Sequence, residues 1–282
     1  MIDHILLGRA IQLARGKKHG CGPGGEKIKS GDKLSGKGGQ KGPVPSQQLD
    51  EDRAHRDNAL GPEVLALACR NVGALLITIS TDYVFDGEKD GFYTQRDQPN
   101  PQGVYARSKL EGERRAQTAW ARTSVVRSGY IFGPGGTNFL STMLARARRG
   151  ERLQVISDSF GTPTYARDLA KQLYRLGQLD LPGIYHVVNA GDGASFEDFA
   201  RAAIEIAGLN DQVLENVSLE TLNRPAPRPR NSRLRCLLSE ALGLEPLPFW
   251  KDALADFVAT QAREESTGRL AVTPSPVGRG PG

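Results

Sequence analysis

Residues 74–87 read Ala-Leu-Leu-Ile-Thr-Ile-Ser-Thr-Asp-Tyr-Val-Phe-Asp-Gly, a continuous apolar run that passes directly into hydroxyls and carboxylates. A short run of this kind, without polar alternation, is the pattern of a strand covered on both faces, as parallel strands are. Ser80 to Gly87 then fall at the C-terminal end of a parallel strand, where open α/β sheets bind ligands. A plain polar turn fits the same residues.

Working outward, Asn58-Ala-Leu-Gly-Pro62 opens a helix with Pro62 in its first turn, and Val64, Leu65, Ala68 and Val72 follow at helical spacing. Downstream, a helix over 105–122 leads to a second strand over 124–132. Helices near 138–149 and 167–177, a third strand over 183–189 and a helix over 196–207 come next. The chain is irregular and proline-rich after Val213 until a helix over 249–260. Strands alternating with helices of this length predict an α/β fold with a parallel sheet. There is no internal repeat.

The ends have a different texture. Of the 282 residues, 16–42 contain ten glycines and seven lysines against Glu26 and Asp32, a local net charge of +5. The whole chain is also +5, so the other 255 residues sum to zero and the basic character belongs to one segment. Such a segment cannot bury enough surface to offset its conformational entropy and is expected to be flexible. Its confinement argues against a nucleic-acid-binding globule, so no specific nucleic acid is expected. Residues 2–15 suggest a short helix, and a Gly/Pro/Ser-rich tail from about residue 261 to 282 is expected to be disordered. No apolar run approaches the roughly 20 residues of a membrane helix. Cys21, Cys69 and Cys236 are scattered, without metal-ligand spacing, and the N-terminus lacks a secretory pattern. The expectation is a cytoplasmic protein with reduced thiols, no membrane partner and no metal.

Chemistry enters with Tyr105-Ala-Arg-Ser-Lys109, where a Tyr and a Lys four apart share one face of the predicted helix. An ammonium there lowers a phenol pKa that starts near 10, giving a usable acid at neutral pH. Taken alone, the pair also suits an exposed helix surface. Its value lies in the order, with Thr81 preceding Tyr105 by one loop and a helix start.

Five blocks then carry a resemblance: STDYVFDG (80–87), PNPQGVYARSKLEGE (99–113), RSGYIFGPGGTNF (127–139), GTPTYARDLA (161–170) and RPAPRPRNSRL (224–234). Over about three quarters of its length the chain resembles the extended short-chain dehydrogenase/reductases, most of all the dTDP-4-dehydrorhamnose reductases. The resemblance implies a Rossmann-like sheet, truncated at its N-terminal half, with a small C-terminal substrate-binding subdomain. It implies an oxidoreductase in which NADPH (or NADH) reduces the C4 ketone of a dTDP-sugar. Thr81 would hydrogen-bond that carbonyl, Tyr105 would donate the proton, and Lys109 would lower the phenol pKa and hold the nicotinamide ribose. Ser80, Tyr105 and Lys109 are the implied cofactor contacts. Asp82, Tyr83, Tyr130, Asn138, Arg228 and Asn231 are the implied sugar-nucleotide contacts, a guanidinium suiting a diphosphate. Tyr130 as core and Arg228 as a solvated charge remain open. A homodimer is a further implied possibility.

The N-terminus departs from the pattern. Residues 20–25, Gly-Cys-Gly-Pro-Gly-Gly, match G-x-G-x-x-G, but a charged stretch precedes them and no helical apolar stripe follows, so they lack the context of a phosphate loop. His4-Ile-Leu-Leu-Gly8 is similar to the family's opening strand and first glycine, yet the rest does not follow. Residues 1–49 are therefore expected to stand in place of a longer cofactor-binding half, through a replaced, frame-shifted or wrongly started N-terminus. Residues 50–160 are expected to hold the rest of the dinucleotide-binding domain, and 161–260 mainly the substrate subdomain. The alternative to a reductase is an inactive family member serving as a nucleotide-sugar-binding or regulatory subunit.

Overall fold

Two helices, α1 (Ser46–His55) and α2 (Gly61–Val72), precede strand β1 (Leu76–Thr81), helix α3 (Val104–Ala119) and strand β2 (Thr123–Ser128). The chain continues through β3 (Ile131–Phe132), α4 (Phe139–Arg148), β4 (Leu153–Ile156), β5 (Phe160–Gly161), β6 (Thr164–Tyr165), α5 (Ala166–Leu179) and β7 (Gly183–His186). It ends with β8 (Asn189–Ala190), β9 (Ala194–Ser195), α6 (Phe196–Ile206), β10 (Leu214–Val217), α7 (Leu237–Ala241), β11 (Leu247–Phe249) and α8 (Trp250–Ser266). The computed structural model describes residues 46–134, 138–222 and 228–266. The expected helix over 2–15, the Gly/Lys segment, the 20–25 glycine motif and the chain beyond residue 266 lie outside the described residues.

The main sheet is parallel in the order β1-β2-β7, as the apolar runs predict. Thr81 at the end of β1 pairs with Ser128, and Arg127 pairs with His186 of β7. Successive side chains of β1 point to opposite faces. Leu76 packs with Ala66 of α2 and Ala116 of α3, whereas Ile77 joins Val126, Leu169 and Leu176 under α5. Helices on both faces are why all six positions of β2 are buried. Each fully buried Leu on α5 contributes about 1.5–3 kcal/mol.

Two expectations are corrected. The strand over 124–132 is two strands, because Gly129-Tyr130 breaks it: Tyr130 has φ +43°, and the chain leaves the main sheet to pair β3 with β6. The run over 183–189 breaks likewise, its last residue starting β8, which pairs with β11. These departures feed a second core, where Phe132, Tyr165, Phe199, Trp250 and Phe257 pack together. The chain crosses between the two halves more than once, since α5 and β7 return to the main sheet after residue 160.

The helix expected to open at Asn58 has a helical lead-in. Helical backbone runs from Ser46 through a wide turn over Arg56–Leu60 into α2. Pro62 has no N–H for the Asn58 carbonyl, and the Gly61 N–H instead bonds to Arg56 O. Gly112 of α3 faces that turn; a side chain there would collide with the Asn58 carbonyl. At the other end, α8 continues to Ser266, past the expected start of the disordered tail.

Candidate active site

The end of β1 gathers the polar residues. Ser80 is buried, and among the described residues its Oγ has no hydrogen-bond partner. Thr81 caps the short turn that follows, its Oγ1 accepting the Tyr83 N–H at 3.2 Å. Asp82 is only 3% exposed: Oδ1 accepts from Thr81 Oγ1 at 3.0 Å and Oδ2 from Ser232 Oγ at 2.5 Å. Burial raises the Asp82 carboxyl to about 6, against the Ser232 and Thr81 hydrogen bonds, which lower it. A side chain at Gly129 would run into this carboxylate, so the glycine makes room for it.

Helix α3 delivers Tyr105 and Lys109. It packs on β1, and the Lys109 Nζ donates to Ile79 O at 2.7 Å, two residues before Thr81. One turn further on, Glu113 forms a buried bidentate ion pair with Arg127 of β2, with contacts of 3.0 and 2.6 Å. The helix is thus tied to both neighbouring strands through one face. Tyr105 lies on that face one turn before Lys109, at the N-terminal end of α3, and is 48% exposed. Asn58 reaches this first turn through Ser108, whose hydroxyl donates to the Tyr105 carbonyl at 2.9 Å.

The third element is Tyr130, held in left-handed backbone that a bulky residue rarely adopts. Its ring stacks on Phe196 at 4.3 Å, and its hydroxyl donates to Ser159 O at 3.3 Å. Burial, with Tyr83 and Asp82 adding to it, holds this phenol well above its usual value. Gly161 leaves space for the ring, since a Cβ there would fall on it. The Arg228 guanidinium lies 6.0 Å from the Phe196 ring centre. Tyr83, Asp82 and Arg228 therefore all lie near enough to act on the Tyr130 phenol.

Two of the sequence-derived sugar contacts have other partners. The Asn138 amide caps α4, accepting from Ser141 N and donating to Gly133 O, although Asn138 also lines a small cavity of about 50 Å³ with Tyr130 and Phe196. Asn231 donates to Lys89 O and Gly91 O and accepts from Arg233, which pins the segment 228–235 in place. Sequence reasoning missed Ser232, Phe196 and Gly129. Ser232 lies 150 residues from the carboxylate it bonds, and nothing local marks it.

A family model described as the RmlD substrate binding domain matches residues 46–263. The dTDP-4-dehydrorhamnose reductase of Mycobacterium tuberculosis is 40% identical over 232 residues, covering 80% of this chain and 76% of that protein. The chain belongs to the dTDP-4-dehydrorhamnose reductase family. Among solved members, a dTDP-4-dehydrorhamnose reductase from Clostridium acetobutylicum superposes with a TM-score of 0.73 at 33% identity, covering 78% of this chain and 77% of that one. The Bacillus anthracis dTDP-4-dehydrorhamnose reductase, solved in complex with NADP, gives 0.72 at 32% identity, covering 77% and 76%. Members of this family thus share the α/β scaffold described above.

Proposed function

We propose that this chain reduces the C4 ketone of dTDP-4-dehydro-6-deoxy-L-mannose to dTDP-L-rhamnose with NADPH, and that Thr81, Tyr105 and Lys109 carry the chemistry. The observation that supports this most is the Lys109 ammonium seated on Ile79 O, which brings the Tyr105/Lys109 face of α3 to the strand end that bears Thr81. The nicotinamide end of the cofactor suits these residues, because the buried Ser80 Oγ lacks a partner among the described residues and a ribose or amide group could supply one. Ser80, Tyr105 and Lys109 would hold that end. When bound, the cofactor supplies a hydride.

The chain's own residues supply the rest of the reduction. Thr81 hydrogen-bonds the C4 oxygen and orients the ketone. Tyr105 gives its phenolic proton to that oxygen, and the adjacent ammonium of Lys109 stabilises the phenolate left behind. Tyr130, Tyr83 and Asp82 form the wall beside the sugar, with Asn138 and Asn231 shaping it. Arg228 offers paired donors to the diphosphate. In this reading the β1-to-β2 portion carries catalysis, and the region built on α4, α6 and α8 carries substrate binding. A cytoplasmic setting suits Cys69 and Cys236, both of which are thiols. Among the described residues, no helix is long and apolar enough to cross a membrane.

The test is oxidation of NADPH by the purified chain in the presence of the 4-dehydro sugar nucleotide. The reading requires oxidation that depends on the sugar. Saturable binding of the sugar nucleotide without turnover would instead make the chain a binding or regulatory subunit.

A further inference from the structure

Thr81 has one proton to give, and the structure commits it. Its Oγ1 accepts the Tyr83 N–H and stands 3.0 Å from Asp82 Oδ1. Asp82 Oδ2 is held by Ser232 Oγ at 2.5 Å. An ionised carboxylate only accepts, so both hydroxyls must then donate to it. In that state the Thr81 proton points inward and cannot reach a substrate oxygen. When Asp82 is protonated on Oδ1, with Ser232 still donating to Oδ2, its own O–H donates to Thr81 and the Thr81 proton turns outward.

We propose that Ser232 and Asp82 set the direction of the Thr81 hydroxyl proton and so act as positioning residues for ketone reduction. The inference deepens the reductase reading and rests on it for its catalytic consequence. Ser232 is built to do this. Its backbone N–H donates to Phe160 O at 2.8 Å, the next turn is fixed by Leu234 N on Thr162 Oγ1, and Asn231 anchors the other side on Lys89 and Gly91. The segment that lines the sugar side is thereby wired, through one hydroxyl, to the residue that meets the C4 oxygen. Gly129 closes over the carboxylate and leaves no space for a side chain between them. Among the titratable and charged groups, the Tyr130 phenol faces Asp82, and Tyr83 and Arg228 act in turn on Tyr130. Burial already places the carboxyl near 6, within reach of ordinary pH.

The test uses the full chain labelled with carboxyl-¹³C aspartate and follows the Asp82 resonance through a pH titration, alongside the pH profile of kcat. Ser232→Ala and Thr81→Val each remove a hydrogen bond to the ionised form, so each should raise the Asp82 midpoint by about one unit, and Ser232→Thr should restore it. In turnover, kcat should fall as pH rises through the Asp82 midpoint, and Ser232→Ala should move that limb upward by the same amount. In the Thr81→Val background the limb should be absent. An Asp82 midpoint unmoved by Ser232→Ala overturns the proposal, as does a limb that persists without Thr81. Because the carboxyl titration needs no turnover, shifts as expected in a chain that oxidises no NADPH would support the proton direction while refuting the reductase reading.

Discussion

The ammonium of Lys109 donates to the carbonyl of Ile79 at 2.7 Å, so a residue on α3 is seated on the strand that ends in Thr81. Tyr105 is reached by one turn of the same helix and is half exposed. Removing its hydroxyl takes away the proton to be given and leaves the ring in place. Tyr105→Phe is expected to lower kcat about 10²- to 10⁴-fold while leaving the thermal midpoint within about 1 °C, checked by steady-state kinetics beside a melting curve.

The Glu113–Arg127 pair holds α3 on β2 with both side chains almost wholly buried. Glu113→Gln leaves a buried guanidinium without its counter-charge and should cost about 3–5 kcal/mol in urea unfolding. Replacing both residues by Met should cost clearly less, since no unpaired charge then remains.

Asp82 and His186 give opposite pH slopes. Burial raises Asp82 from its ordinary 3.8 to about 6, so its stabilising contribution is full below the lower value and lost as pH rises through the upper one. Burial, helped by Arg127, lowers His186 from 6.5 to about 4, so its contribution is full above the upper value and lost as pH falls through the lower one. Over the shared window the two largely cancel. Asp82→Asn should unmask the histidine: stability then climbs between about pH 4 and 6.5, and at about pH 8 the variant gains up to about 3 kcal/mol over the parent. Urea midpoints measured across that range check it.

Gly161 faces the Tyr130 ring, and Tyr130 in turn stacks on Phe196. Gly161→Ala should push the ring off its stack and raise KM for the sugar nucleotide about tenfold, with kcat changed less, because the shift falls on the sugar side and not on Tyr105. Kinetics at saturating NADPH separate the two.

The legible parts of this molecule are the ones whose cause is local. Strand β1 stands out because burial on both faces makes it a continuous apolar run, the other two sheet strands stand out through their alternation with helices, and Thr81, Tyr105 and Lys109 stand out through spacing and order. Strands such as β5 and β6 are two residues long and exist only through pairing with distant partners, so no periodicity announces them. The helix at Ser46–His55 carries only Leu49 and Ala54 as apolar residues and offers no stripe to read. The break at Tyr130 needs the second core before it makes sense. Asn138 and Asn231 show what a resemblance leaves unread: it implies sugar contacts, while the structural tasks of the same side chains, capping a helix and pinning a loop, emerge only from the fold.

The most direct measurement of the central claim is product analysis after incubating the chain with dTDP-4-dehydro-6-deoxy-L-mannose and NADPH deuterated at the transferring position. The account predicts dTDP-L-rhamnose with deuterium on sugar C4, formed by the parent chain and all but lost in Tyr105→Phe. Product without label at C4, or equal label from the parent and Tyr105→Phe, would contradict it.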